Sequence, residues 1–135
     1  MLTVIVPLYV DLPRKRGKDK RVYLTYNALK QQHFQVYNQA KHMVHEVVRQ
    51  QLDDQKIIGQ IPTPCKVTLT LYISGEREQD LDNTMPAMKF CNDAMVQMGM
   101  LPEDNYKFIK QVTYLFGGKD KSNPRYEITY DRYEQ

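Results

Sequence analysis

The sequence predicts one α+β (mixed α/β) domain, with about four main strands in a mixed sheet and two long helices, in the order β-α-β-α-β-β. Three observations predict it: strict alternation over residues 65–74, two stretches with apolar side chains every three or four positions, and strand-like runs near both ends. A chain of 135 residues, 41% hydrophobic, can bury one core without disulfides. Because no repeat or long linker divides it, residues 1–135 are treated as a single domain.

The first half of the chain is predicted to contain one strand, a short extended piece and a long helix. Residues 2–10 are rich in β-branched and aromatic side chains, and Pro13 ends this run. Residues 22–25 form the extended piece. From residue 27 to 52 apolar side chains recur at helical spacing without Gly or Pro, which indicates an amphipathic helix.

The second half is predicted to add three strands and a second long helix. The alternating residues 65–74 form the clearest strand. The helix begins near Asp82 or Asn83 and ends at Gly99, with Pro86 tolerated in its first turn, where its missing N–H needs no partner. Residues 108–116 and 125–133 are predicted to pair antiparallel across the loop between them.

Charge and cysteine content limit the class of protein. The net charge of +3 is too small to indicate nucleic acid by itself. Cys65 and Cys91 have no CxxC spacing, so both are expected to be buried, reduced thiols. The apolar N-terminal run is too short to cross a bilayer. We therefore expect a cytoplasmic protein that does not bind membranes.

Residues 14–21 carry six cations and one acid. Such a run is either a solvated loop or a surface that binds phosphate groups. With Arg77, which precedes the acidic residues, the cations are the candidate DNA contacts: Arg14, Lys15, Arg16, Lys18, Lys20, Arg21 and Arg77.

Acidic residues gather around the start of the second helix. Asp80 and Asp82 follow the strand directly, and Asp104 lies in a turn after the helix that can fold back toward the same corner. Carboxylates held close together repel each other, so their clustering here requires an explanation. The two common explanations are helix capping and the binding of a divalent metal ion. Capping requires a single oxygen and leaves Asp80 and Asp104 unexplained. An EF-hand loop is excluded, because Met85 and Cys91 stand where it needs Gly and Glu.

Helical phase relates further residues to Asp82. At 100° per residue, Lys89 and Asp93 return to within about 20° of the direction of Asp82 if the helix is continuous. Lys89 and Asp93 are equally consistent with a surface ion pair at i,i+4. Asn83 is expected to cap the helix.

These residues together resemble the RusA family of Holliday junction resolvases. The matching pieces are Asp80-Leu81-Asp82-Asn83, the segment Lys89 to Ala94, Gly99, and Glu103-Asp104, preceded by the basic run and by a lysine, Lys41, in the first long helix. The resemblance implies a homodimeric, Mg²⁺-dependent endonuclease, of a bacterium or a phage, that cuts four-way DNA junctions.

The resemblance also implies roles for individual residues. Asp80, Asp82 and Asp104 would be the catalytic, metal-binding carboxylates, and Lys89 the essential lysine. The family usually carries that lysine four residues after the second aspartate, where this chain has Pro86, so Lys89 is displaced by three residues. Asn83 and Asp93 would support the site.

Two other functions remain open from the sequence. A non-catalytic nucleic-acid-binding protein would keep the basic run and use the acidic residues structurally. A Mg²⁺-dependent phosphohydrolase acting on small nucleotides would share the acidic site, but it would not need the basic run. The chain also has no Gly-rich phosphate loop.

Overall fold

A computed structural model describes residues 1–134 and confirms the mixed α/β class. The described chain forms six strands in two sheets, and two long helices cover one face of the larger sheet. The strands are β1 (Leu2–Val6), β2 (Tyr9–Leu12), β3 (Lys20–Tyr23), β4 (Cys65–Ile73), β5 (Ile109–Lys119) and β6 (Arg125–Arg132). The helices are α1 (Tyr26–Leu29), α2 (Phe34–Asp54) and α3 (Met85–Gln97), the last preceded by a 3-10 turn at Leu81–Thr84.

The larger sheet has the strand order β1-β6-β4-β5. β4 and β5 are parallel and connected through α3, whereas β6 pairs antiparallel with both β1 and β4. The predicted pairing of residues 108–116 with residues 125–133 is therefore wrong, because β4 lies between β5 and β6. The connection between them crosses the end of β4, where Asp120 N–H donates to Ile73 O at 2.8 Å. The short Gly-containing loop between β5 and β6 is typical of a hairpin, and it suggested that these strands pair. The crossover through α3 instead places β5 parallel to β4, on the side of β4 away from β6.

The central strand β4 confirms the alternation that predicted it. Val67, Leu69 and Leu71 are buried against the helices, whereas Thr68 and Thr70 lie on the open face and are partly exposed. This pattern fixes the register, because a shift by one residue would place every apolar side chain in water.

The predicted N-terminal strand is divided at Pro7 into β1 and β2. β1 joins the larger sheet, and β2 pairs antiparallel with β3 to form a separate hairpin. The predicted extended piece, residues 22–25, overlaps β3 only at Val22 and Tyr23, because the strand starts two residues earlier. Most of the basic run forms the loop of this hairpin, and its last two residues belong to β3. Leu24 N–H donates to Leu8 O at 2.9 Å and extends the ribbon by one more link.

The predicted helix over residues 27–52 is also divided. Thr25 caps the short α1 by accepting from Ala28 N–H at 3.3 Å, and His33 Nδ1 caps α2 by accepting from Gln35 N–H at 3.1 Å. α2 buries Ala40, Val44, Val48 and Leu52, the face that packs on the sheet and on α3.

The predicted second helix begins later than expected. Residues 81–84 form the 3-10 turn and α3 starts at Met85, with Pro86 inside its first turn as predicted. The helix ends just before Gly99, which has a φ of +76°. Cys65 and Cys91 are buried and unpaired, as expected, and burial raises the pKa of Cys91 to about 12. None of the helices within residues 1–134 is long and apolar enough to cross a bilayer.

Candidate functional site

Residues 80–84, which we call the acidic corner, form the last part of the connection between β4 and α3. Asp80 is the last extended residue before the 3-10 turn, and Asp82 lies in the first turn. Both carboxylates are exposed, and within residues 1–134 neither side chain has a hydrogen-bond or ion-pair partner. Two acidic side chains at one corner are therefore available to a cation from solution.

Capping does not account for these carboxylates. Asp80 stands at the N-cap of the 3-10 turn and Thr84 at the N-cap of α3, yet neither makes a side-chain capping hydrogen bond. The prediction that Asn83 caps the helix is wrong: its Oδ1 accepts from the backbone N–H of Asn27 at 3.0 Å, and its Nδ2 donates to Gln79 Oε1 at 3.2 Å. Asn83 thus ties the acidic corner to the start of α1.

Two tyrosines on the helix-side face of the larger sheet, Tyr114 and Tyr130, have pKa values that burial raises. Tyr114 on β5 and Tyr130 on β6 lie on that face, since they pair with the buried residues of β4. Burial raises the pKa of Tyr114, and the charge of Asp82 raises it further. Burial and Cys91 raise the pKa of Tyr130, with a smaller contribution from Asp104.

The structure does not bring the predicted ligands into one finished cluster. Among the described residues, no three acidic, histidine or cysteine side chains converge as a metal site would require. Asp80 and Asp82 stand two residues apart at the corner, and Asp104 belongs to the turn that leads into β5. The corner of one chain therefore offers two carboxylates rather than three.

The predicted common face of Asp82, Lys89 and Asp93 does not hold. Asp82 lies in a 3-10 turn, so the helical phase of α3 does not extend to it. Lys89 is exposed and forms no ion pair in the described part of the chain. Asp93 instead faces α2, where its Oδ2 lies 2.9 Å from Lys41 Nζ and 3.4 Å from His45 Nε2. Lys89 and Asp93 form no i,i+4 ion pair, and the Asp93 carboxylate pairs with Lys41 instead.

A cleft of about 930 Å³ opens beside the acidic corner. One wall comes from the end of β3 and from α1, and the other from the loop that follows β4, including Arg77 and Asp80. Tyr23 lines the first wall and is half exposed. The sequence did not predict this cleft. Residues 22–25 indicated an extended segment, but a local pattern does not show that this segment lies opposite the loop after β4.

The basic run forms the tip of the β2–β3 hairpin. Arg14, Lys15, Arg16 and Lys18 are exposed there, and Gly17 makes the turn with a φ of +85°. The two remaining cations sit on β3, where Arg21 pairs with Asp11 at 3.0 Å and its guanidinium lies 3.9 Å from the centre of the Tyr9 ring. A ribbon of four residues per strand places the tip about 13 Å from the cleft.

Comparison with known proteins adds no functional information. No protein-family model matches the sequence, and no curated protein matches it. The functional proposal therefore depends on the acidic corner, the hairpin and the motif resemblance described above.

Proposed function

We propose that this protein is a Mg²⁺-dependent endodeoxyribonuclease that resolves four-way (Holliday) DNA junctions by paired, symmetric hydrolysis of phosphodiester bonds. The observation that carries the proposal is the pair of exposed, unpartnered carboxylates of Asp80 and Asp82, which serve no capping role. The basic hairpin tip supports a nucleic acid rather than a small nucleotide as substrate, since it lies about 13 Å, the length of the hairpin, from the cleft.

The donor set fits magnesium. Mg²⁺ binds oxygen ligands and is held by one or two protein carboxylates, together with waters and substrate phosphates. Asp80 and Asp82 meet this requirement within one chain, and Asp104 is the proposed third carboxylate. When bound, the ion would neutralise charge on the phosphate and supply an activated water.

The side chains of the chain itself have separate proposed tasks. Asp82 and Asp104 hold the cation, and Asp80 either joins them or orients the attacking water. Lys89, free of any carboxylate in the described structure, stabilises the charge that develops on the leaving oxygen. Asp93 is engaged with Lys41 and acts only by fixing α3 against α2.

DNA binding is assigned to the hairpin tip and to Arg77. The tip cations have no acidic partners among the described residues, so they are free to neutralise phosphates. Arg77 lines the cleft beside Asp80 and can hold the backbone next to the cleaved bond. Two symmetric incisions require two sites, which a two-fold homodimer supplies.

The alternative is a non-catalytic nucleic-acid-binding protein. One observation favours it: within residues 1–134 no three ligand side chains converge on one point. In that case the acidic corner would serve only to shape the cleft, and the hairpin alone would bind DNA.

Cleavage assays separate the two functions. The protein and its Asp82→Asn variant are incubated with a labelled four-way junction, a linear duplex and a nucleotide, with and without Mg²⁺. We expect cleavage of the junction alone, only with Mg²⁺, and a loss of at least about a hundredfold in Asp82→Asn with binding retained. Asp53→Asn, an exposed acid at the far end of α2, is the matched control and should cut normally. Junction binding without Mg²⁺-dependent cleavage in the wild type would establish the alternative.

The hairpin assignment has its own test. Replacing Lys15, Arg16 and Lys18 together by Gln should reduce the slope of log K against log salt by about 2.7, because each phosphate contact contributes about 0.9. Arg21→Gln should change the slope less, since Asp11 already neutralises that charge. An unchanged slope in the triple variant contradicts the assignment.

A further inference from the structure

β5 is an open edge of the larger sheet. It is the outermost strand, paired with β4 on one side and with none of the described strands on the other. It is 11 residues long, contains no proline, and carries charges only near its ends, at Lys110 and Lys119. Its register against β4 shifts at Lys110 and at Gly117, and the segment between these two positions is regular. Val112, Leu115 and Phe116 are 45%, 47% and 57% exposed. Proteins normally shorten, charge or cover such an edge, because its free N–H and C=O groups recruit other strands.

The exposed side chains lie on both faces of the strand. Val112 and Phe116 pair with Val67 and Leu71, so they share the helix-side face, beyond the cover that the helices provide. Leu115 pairs with Thr70 and lies on the open face. A helix or loop placed on the sheet would shield only one of these faces. A strand added at the edge contacts both, so the occupant that fits is a strand.

We propose that this strand is β5 of a second copy, paired antiparallel around a two-fold axis perpendicular to the sheet. Overlap of residues 112–116, which lie between the two register shifts of β5 against β4, places Tyr114 opposite its own copy. In that register Val112 faces Phe116 of the second copy, and Thr113 faces Leu115. Apolar side chains thus meet apolar or partly apolar ones, the arrangement that stabilises cross-strand pairs.

The charges of the strand agree with this pairing. Lys110 and Lys119 both lie outside residues 112–116, so no lysine enters the regularly paired part of the interface. A segment that pairs its own apolar residues and excludes its own cations is self-complementary. Self-complementarity is what a two-fold interface between identical chains requires.

The pairing joins two four-stranded sheets into one and keeps the helices of both copies on the same side. Since the 3-10 turn that carries Asp82 contacts β5 in each copy, the two acidic corners lie close to the interface, on opposite sides of the axis. This surface gives the proposed resolvase its homodimer, and to that extent it rests on the proposed function. The exposed edge itself is independent of any nuclease activity.

Two substitutions that leave the isolated chain intact test the interface. Leu115→Lys and Phe116→Lys alter exposed side chains, so both variants should keep the far-UV circular dichroism spectrum of the folded protein. Sedimentation equilibrium should find a dimer for the wild type, and dimer dissociation constants about a hundredfold weaker for the variants, because each lysine occurs twice and costs about tenfold each time. Ile58→Lys, the same change at a 96% exposed residue away from β5, is the matched control and should remain dimeric. A monomeric wild type, or variants as dimeric as the control, would overturn the proposal.

The register has a separate test. Tyr114→Cys should form a covalent dimer under mild oxidation, since directly opposed residues of antiparallel strands lie about 4.5–5.5 Å apart at Cα, within disulfide range. Ile58→Cys controls for random collision, and the buried Cys65 and Cys91 should not react. Cross-linking of Tyr114→Cys no faster than the control refutes the register. A wild-type protein that is dimeric but fails to cut junctions would leave the interface standing and end the nuclease proposal.

Discussion

The ion pair between Lys41 and Asp93 connects the two long helices, and its removal should measurably weaken the fold. Lys41 Nζ lies 2.9 Å from Asp93 Oδ2, and His45 Nε2 lies 3.4 Å from the same oxygen. Within the described residues, neither Asp93 Oδ2 nor His45 Nε2 has a hydrogen-bond partner of good geometry. The attraction is therefore mainly that of two charges rather than of a directed hydrogen bond.

The magnitude follows from the distance and the exposure. At an effective dielectric constant of about 20, unit charges 2.9 Å apart attract by about 6 kcal/mol before desolvation is counted. The side chains of Lys41 and Asp93 are 30% and 32% exposed, so water screens part of this attraction. Exposed pairs contribute about 0–1 kcal/mol, whereas breaking a fully buried pair costs about 3–5 kcal/mol. We expect a coupling energy between these limits, about 1–2 kcal/mol.

A double-mutant cycle in urea measures the coupling. The free energy of unfolding is determined for the wild type, Asp93→Asn, Lys41→Met and the double variant, and the double variant should lose about 1–2 kcal/mol less than the two single losses added together. The exposed pair of Glu46 and Arg49 on α2 is the matched control, with an expected coupling below about 0.5 kcal/mol. A Lys41–Asp93 coupling no larger than that of the control would refute the reasoning.

Two further predictions concern the pH dependence and the packing of the sheet. Burial lowers the pKa of His45 below its usual 6.5, so the unfolded chain binds a proton before the folded protein does. The free energy of unfolding should therefore fall as the pH decreases below about 6.5. Urea midpoints measured across this pH range should no longer show the decrease in His45→Gln. They should still show it in His42→Gln, whose side chain is exposed. At Gly117 an added Cβ would lie 2.6 Å from the Tyr72 ring, so Gly117→Ala should lose about 1–3 kcal/mol. Gly75→Ala, with no atom within 4 Å, should change the free energy of unfolding by less than about 0.5 kcal/mol, and equal losses at both glycines would contradict the packing argument.

Local patterns predicted the strands and helices better than they predicted the pairing of strands. The alternation in β4 and the helical spacing in α2 arise from each segment having one buried face, which is visible in the sequence. The order of the sheet depends on which strands pair with β4. This pairing joins residues that are far apart in the sequence, so a short stretch of sequence does not reveal it. The break between α1 and α2 was missed because His33, an uncommon capping residue, provides the cap through its ring nitrogen.

The acidic corner was predictable as a position, but its details were not. Asp80 and Asp82 lie at the strand-to-helix corner, as their place in the sequence indicated. The phase argument for Lys89 failed because the chain enters α3 through a 3-10 turn, which has a different angle per residue. The partner of Asp93 could not be predicted, since Lys41 is distant in sequence and meets it only when α2 and α3 pack.

The two hydrogen bonds of Asn83 make its position chemically selective. An aspartate has nearly the same shape and could still accept from the backbone N–H of Asn27, but as a carboxylate it has no N–H to offer Gln79. It would also place a third negative charge directly after Asp82, three residues from Asp80. The chain thus alternates acid, apolar, acid and amide over four residues, and the amide limits the local charge while holding α1 in place. Position 83 is where the protein distinguishes an amide from its isosteric acid.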